Sequence, residues 1–333
     1  MIQRANAIGV VVLFVAIHGE LARGQSPSQT TLVVDLQNVV EYQNDDASTP
    51  SKLATNPNLT PSGGFINFGM VTLLGDIVAV NGQPAKGTYV GRSRGIAASP
   101  TPKPGGAIAD VTRTAMREHY FEILKADGTA IGTIMSLGFS GGVAPPGAPS
   151  TERANWAIVG GTGAFLGARG TVGGTGVSGR AASMTEDPSN RRTNGGTALS
   201  FILHVIPPAA PQIVLLPSGP AVTHSTDFTL VTTSKPAAAG EVLSLFATGL
   251  GPTVPEVDLG LPFPSTPLAV VNSPIVVTLN GKPCDVLAAV GYPGAVNAYQ
   301  VNFRVPPDAS KGGAIIQVTA AWIPGPPVSV AIQ

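Results

Sequence analysis

Charge is scarce in this chain. Asp, Glu, Lys and Arg make up 11% of its 333 residues and balance to a formal net charge of zero. A typical globular domain carries about 25%. No basic run occurs, so the electrostatic footprint of a nucleic-acid binder is missing. An anionic membrane surface is equally unsupported as a partner. Cysteine is scarcer still. Cys284 is the sole one, so no intramolecular disulfide can form. Secreted eukaryotic domains of this size often carry disulfides, and their absence favours a bacterial exported protein built on large hydrophobic cores. Cys284 sits in "GKPCDVLAAV", among apolar strand residues and far from the N-terminus. That context suits a buried structural thiol rather than a nucleophile or a lipid anchor. Nor is there a His/Cys/carboxylate cluster at ligand spacing, so no metal is expected.

Long helices and long apolar runs are missing too. What is present instead is glycine (41) and proline (31), set among 43% hydrophobic residues. Disorder goes with low hydrophobicity and high charge, so this chain should fold, and tight turns between short strands are the expected outcome. The first residues have a different character. Arg4 precedes an apolar core, Ala7 to Ile17, and Ala22-Arg23-Gly24 offers small residues for cleavage after Gly24. The run is much shorter than the ~20 residues that span a bilayer. Residues 1–24 therefore read as a signal peptide, and the mature chain as secreted or cell-surface, with no membrane span.

Short β-branched runs bounded by Gly, Pro, Asn and Asp continue to the C-terminus. In the first half they are Thr31–Leu36, Gly69–Val80, Gly87–Ala98, Ala107–Arg113 running on to Met116–Leu124, Thr129–Ser140, Ala154–Val159, Ala168–Val177 and Thr197–Ile206. "KADGT", Lys125–Thr129, is a hairpin turn. About eight strands in series predict an antiparallel up-and-down barrel over 29–206. The loops Gln43–Gly64 and Gly142–Glu152 are rich in Pro, Gly and Ser. A proline-rich linker follows at 207–212. Residues 213–333 then show seven short strands: Phe228–Thr232, Glu241–Ala247, Ile275–Leu279, Val286–Val290, Ala298–Val305, Ala314–Ala321 and Val328–Ile332. Asn280-Gly281 marks another hairpin. This spacing predicts an immunoglobulin-like β-sandwich. The fold class is thus all-β, a barrel followed by a sandwich.

Three stretches carry candidate chemistry. "WAIVGGTGAFLGARGTVGGTG", Trp156–Gly176, resembles the phosphate-cradling turn of a nicotinamide enzyme. Such a turn must open a helix, because the pyrophosphate sits on the helix N-terminus. Here Gly170, Gly173, Gly174, Gly176 and Gly179 follow, each costing about 1 kcal/mol in a helix interior, and "TEDPSN" is a turn. No cofactor is expected, and a strand–turn–strand element with Phe165 packed inward is. The second, Gly91-Arg92-Ser93-Arg94-Gly95, matches a nucleophile elbow only in letters, since "IAASPTPKPGG" places proline where the helix must run. Arg92 and Arg94 share one strand face, outward if solvated. The third, "TRTAMREHYFE", places Arg117, His119, Phe121 and Ile123 on one face and Glu118, Tyr120, Glu122 and Leu124 on the other. His119 alone among the mature histidines lies among charges, while His204 and His224 stand isolated. An exterior ladder of Glu, Arg and Tyr is the ordinary interpretation of this strand. Acid–base or ligand-orienting chemistry at His119 is the functional one.

Two resemblances add to this. Val159-Gly160-Gly161-Thr162-Gly163-Ala164-Phe165-Leu166-Gly167-Ala168-Arg169-Gly170, with the preceding hairpin His119–Phe139, resembles the late-strand signature of dirigent proteins and allene oxide cyclase-like barrels. The resemblance covers roughly Gln29 to Ile206. It implies an eight-stranded barrel with an apolar central cavity, and plant members steer phenoxy-radical coupling or cyclise reactive intermediates. It makes Arg169 a cavity candidate; Ala164 follows Thr-Gly, so an acidic partner must come from elsewhere. "GEVLSLFATGLGPT" (Gly240–Thr253) and "VTLNGKPCDVLAAVGYPGAVNAYQVNFRVPPDASKGG" (Val277–Gly313) resemble the C-terminal domain of exported proteins of soil acidobacteria, similar to immunoglobulin-like IPT/TIG modules. That implies an accessory or surface module without catalysis.

The expected function is binding of a small apolar or aromatic ligand in the barrel, with Arg169, Phe165 and Phe121 as ligand contacts. The immunoglobulin-like domain would meet a cell-surface or extracellular partner. A cofactor-free isomerase, cyclase or dirigent-type enzyme acting through Arg169, His119 and Arg117 is one alternative. A purely structural surface protein is the other.

Overall fold

The computed structural model describes residues 29–43, 70–96, 114–140, 154–174, 179–183, 186–206, 210–258 and 260–333. The segment Ala107–Arg113 and the loop residues 44–64 and 142–152 lie outside them. The chain is all-β and divides into two compact units, Gln29–Pro208 and most of the remainder, Ala209–Val271 with Ile275–Gln333.

The first unit is a closed eight-stranded antiparallel barrel. Its strands are β1 (Thr30–Gln43), β2 (Met70–Val80), β3 (Gln83–Ile96), β4 (Thr114–Lys125), β5 (Ala130–Ser140), β6 (Ala154–Gly161), β7 (Arg169–Gly174) and, after the short β8 (Arg180–Ser183), β9 (Thr197–Ile206). The ring runs β2-β3-β4-β5-β6-β7-β9-β1 and closes through β1–β2 pairing. Closure leaves the barrel wall without free sheet edges. β8 is an addition that the sequence pattern misses; it lies parallel to the last four residues of β1. β1 also runs seven residues beyond the predicted Leu36. The physical reason is Asn38, which adopts φ 53° at a register shift in β1. Such a bulge breaks the alternation on which strand recognition depends.

One end of the barrel is closed by tight turns. Asn81-Gly82 (φ 50° and 73°) joins β2 to β3, the pair of positive φ values that a two-residue hairpin requires. Lys125–Thr129 joins β4 to β5 through Gly128 N–H to Lys125 O, 2.9 Å, with Asp127 Oδ1 accepting from Thr129 N–H, 2.8 Å. Between β6 and β7 the glycine-rich stretch forms a three-residue 3-10 turn, Gly163–Phe165, and returns directly as strand. A Cβ on Gly161 would lie 2.3 Å from Phe165 O, and one on Gly163 2.4 Å from Ile131 O. The glycines therefore let two backbones touch. Phe165 is buried beneath them.

Besides a two-stranded ribbon, Leu215–Leu216 with Gly219–Pro220, the second unit is built from two larger antiparallel sheets. One centres on Val242–Thr248, Tyr299–Arg304 and Asp285–Gly291, the other on Ile275–Leu279, Gly312–Ala320 and Val328–Ile332. Leu243, Leu245, Val301 and Phe303 of the first share one core with Val277, Ile316, Val318 and Val330 of the second. Asn280-Gly281 is the expected hairpin, with φ 49° and 77°. The predicted strand Phe228–Thr232 is not one. Phe228 takes φ 56°, and only an isolated bridge at Leu230 pairs with Thr223, inside the real strand Val222–His224. Cys284 packs against the core, and burial pushes its thiol up to about 11, which leaves it a poor nucleophile.

Candidate functional site in the barrel interior

Register fixes which side chains face inward. Glu41, Leu73, Gly91, His119, Ser136 and Ile158 are successive cross-strand partners on β1 to β6 and form one ring on the inner wall. The next ring contains Val71, Ser93, Arg117, Gly138 and Trp156. Toward the turn-closed end the rings are apolar: Tyr89, Phe121 and Ile134, then Ile77 and Ile123, all essentially without exposure.

His119 is the centre of the upper rings. It is 1% exposed. Its Nδ1 lies 2.8 Å from the Tyr89 hydroxyl, and its ring packs on Trp156 at 4.4 Å between centroids. Phe121 and Phe201 complete an aromatic wall, each within 5.3 Å of Tyr89. Gly91 explains how the Tyr89 hydroxyl fits there. A Cβ at Gly91 would stand 2.6 Å from that oxygen. Burial, reinforced by the Arg117 charge, lowers the His119 pKa to about 3, so the imidazole is neutral. Burial raises that of Tyr89, so the phenol keeps its proton. The Arg117 guanidinium carbon sits 5.7 Å from the Trp156 ring centroid, within cation–π range.

This wall carries four buried polar atoms without a protein partner: His119 Nε2, Arg117 Nε, Ser136 Oγ and Trp156 Nε1. Buried polar groups are nearly always hydrogen-bonded, and each exception costs about 1–3 kcal/mol. All four belong to the two upper rings.

The sequence-derived candidates divide cleanly. Arg117, His119 and Phe121 share the inner face, as alternation predicts, and Glu118, Tyr120 and Glu122 form the exterior ladder. There Tyr120 donates to Glu118 Oε2, 3.3 Å, and Glu118 pairs with Arg92 across the strands. His119 is therefore not part of that exterior ladder. Arg169 is exposed, paired in register with the exposed Ile206, and points away from the interior. It does not join His119; two-residue alternation after Ala168, which is buried, turns it outward. Phe165 is buried at the turn-closed end, away from the upper rings. Arg92 and Arg94 are exposed and line an outer groove of about 500 Å³ with Met70, Thr72 and Met116. Ser93 is buried within β3, which continues as strand to Ile96. Tyr89, Ser136 and Trp156 are the residues that sequence reasoning overlooks. Nothing in their local pattern separates them from ordinary strand positions.

Outside these rings Thr30 Oγ1, Tyr42 OH, Arg191 Nε and Ser273 Oγ are also buried without a partner, whereas several charged groups are paired. Asp76, on the outer wall, accepts from Arg192 (2.7 and 2.8 Å), Asn38 (3.0 Å) and Arg191. Burial opposes ionisation there, but these partners outweigh it and hold its pKa low. Glu186 takes both Arg180 nitrogens, at 2.6 and 3.1 Å. Asp187 Oδ1 caps the turn Pro188–Arg191 through Ser189 N–H, 2.8 Å, so the described part of "TEDPSN", from Glu186 on, is the expected turn. His224 is not isolated, since its Nδ1 meets Glu241 Oε1 at 2.5 Å.

Among the described residues no group of three His, Cys, Asp or Glu is arranged to hold a metal. No described helix is long and apolar enough to cross a membrane. Compared with known proteins, the chain matches no family model, no curated protein and no solved structure.

Proposed function

We propose that this is an exported bacterial protein whose barrel binds a small apolar or aromatic molecule at the upper rings of its interior. The observation that carries the reading is His119: an enclosed imidazole on an aromatic wall, with Nε2 lacking any protein partner. A filled structural barrel gains nothing from such a group, because an unmet buried nitrogen only costs stability. A ligand site does gain, since apolar walls with a few placed polar groups are what small-molecule pockets use. The apolar, Arg4-led N-terminus supports export. The two-sheet C-terminal unit supports an immunoglobulin-like spacer or adhesion module related to IPT/TIG domains, and the glycine-rich β6–β7 turn supports kinship with dirigent and allene oxide cyclase-like barrels. Isothermal titration of the mature chain with naphthalene, cinnamyl alcohol and cinnamate tests the binding. Saturable one-to-one uptake of any of them is expected. Heat signals that stay flat to the solubility limit for all three would overturn it.

A further inference from the structure

The four unmet atoms can all donate. The indole Nε1 of Trp156 and the Nε of Arg117 can only donate. The Ser136 hydroxyl donates freely. His119 is settled by its neighbour. The Tyr89 phenol is buried and protonated, and its hydrogen-bond partner is His119 Nδ1 at 2.8 Å. If Tyr89 donates to Nδ1, the imidazole proton sits on Nε2. The opposite tautomer would leave the phenolic hydrogen without an acceptor as well, adding another unmet buried group. Nε2 therefore carries hydrogen. The wall offers four donors, of which only the Ser136 hydroxyl can also accept.

Charge points the same way. Arg117 is the one cation among these four. It stacks on Trp156 and no described residue forms an ion pair with it. Its positive charge lowers the His119 pKa further, so the imidazole gives its hydrogen bond without adding a second charge. Glu41 shares the His119 ring across Leu73 and Gly91, and its negative charge acts on Tyr89 against that of Arg117. Around the donors Trp156, Tyr89, Phe121 and Phe201 pack on one another and on His119 as one aromatic cluster, a lining chemically matched to an aromatic body.

Donors, one cation and aromatic faces together define the ligand class. We propose that the barrel takes an aromatic carboxylate, with its oxygens held by Arg117, His119, Ser136 and Trp156 and its ring on the Tyr89–Phe201 wall. This rests on the binding reading above and specifies its chemistry. A carboxylate accepts several hydrogen bonds at once, and charge-assisted bonds are about twice as strong as neutral ones. A neutral alcohol of the same shape offers one oxygen and no charge.

The experiment compares cinnamate with cinnamyl alcohol by calorimetry on the mature chain. Cinnamate should bind at least about tenfold tighter, the worth of one charge-assisted bond. Arg117→Met should bring cinnamate down to the affinity of the alcohol, while the alcohol changes less than about threefold. Ser136→Ala, a milder change that leaves the wall packed, should narrow the preference by a smaller factor. In nitrogen-15 spectra the Trp156 indole N–H should move downfield with cinnamate and not with the alcohol. Equal affinity for the two molecules in the unmodified protein would overturn the carboxylate assignment while leaving the binding reading intact. So would a preference that survives in a folded Arg117→Met protein, or an indole signal indifferent to the carboxylate. Absence of binding by either molecule would overturn the binding reading itself, and the assignment with it.

Discussion

The two ends of the barrel use the same strands to opposite effect. Toward the tight turns the interior is Ile77, Ile123, Ile131, Ile134 and Phe165, each 2% exposed or less. There the inward side chains are apolar except Thr30, and the glycines of β6–β7 bring backbones into contact. Toward the other end the same strands turn Ser93, Arg117, His119, Ser136 and Trp156 inward. Four polar atoms there go unmet. One half maximises packing, and the other gives up hydrogen bonds that a stability-driven core would satisfy or delete. Such a local departure from good packing practice is where function is expected to reside.

Three measurements sharpen the contrast, each read as guanidinium unfolding followed by Trp156 fluorescence in a Trp322→Phe background. The largest effect belongs to the packed half. Phe121→Ala removes a fully buried ring and should cost about 3–5 kcal/mol. A loss below about 1 kcal/mol would mean that the interior is already loosely filled. The second is a pH effect. His119 is depressed from 6.5 to about 3 by burial and by Arg117. The unfolded chain therefore binds the proton that the folded barrel refuses. The stability is fully present above about pH 6.5 and falls as pH drops toward 3. At pH 5 the loss should reach about 2 kcal/mol, and His119→Phe should flatten the slope between pH 7 and 5. An unchanged slope would place the titration elsewhere. The smallest effect is Ser136→Ala in the ligand-free protein. Deleting an unmet buried hydroxyl should be neutral or stabilising within about 1 kcal/mol. A clear destabilisation would show that the hydroxyl has a structural bond after all.

Legibility followed locality. The hairpins at Lys125–Thr129 and Asn280-Gly281 are written in their turn residues, and both form. The glycine-rich stretch is legible as strand–turn–strand because more glycines follow where a helix would need good formers. The alternation on β4 correctly groups Arg117, His119, Phe121 and Ile123. What stayed hidden depended on distant partners. Tyr89 and His119 are 30 residues apart and meet only because β3 and β4 pair in the observed register. Trp156 reaches His119 across β5. β8 is too short to show a pattern, and Asn38 masks the far half of β1.

By itself, the sequence determined the all-β class, the turn-bounded strand series and the membership of each strand face, because turn chemistry and the two-residue period are local properties. The tertiary structure decided the sign of each face. A period of two says which residues share a side but not which side is inside; closure of the ring and its register settle that. By that rule Arg169 went to solvent and His119 to the interior, where burial removed its charge and left one nitrogen without a partner.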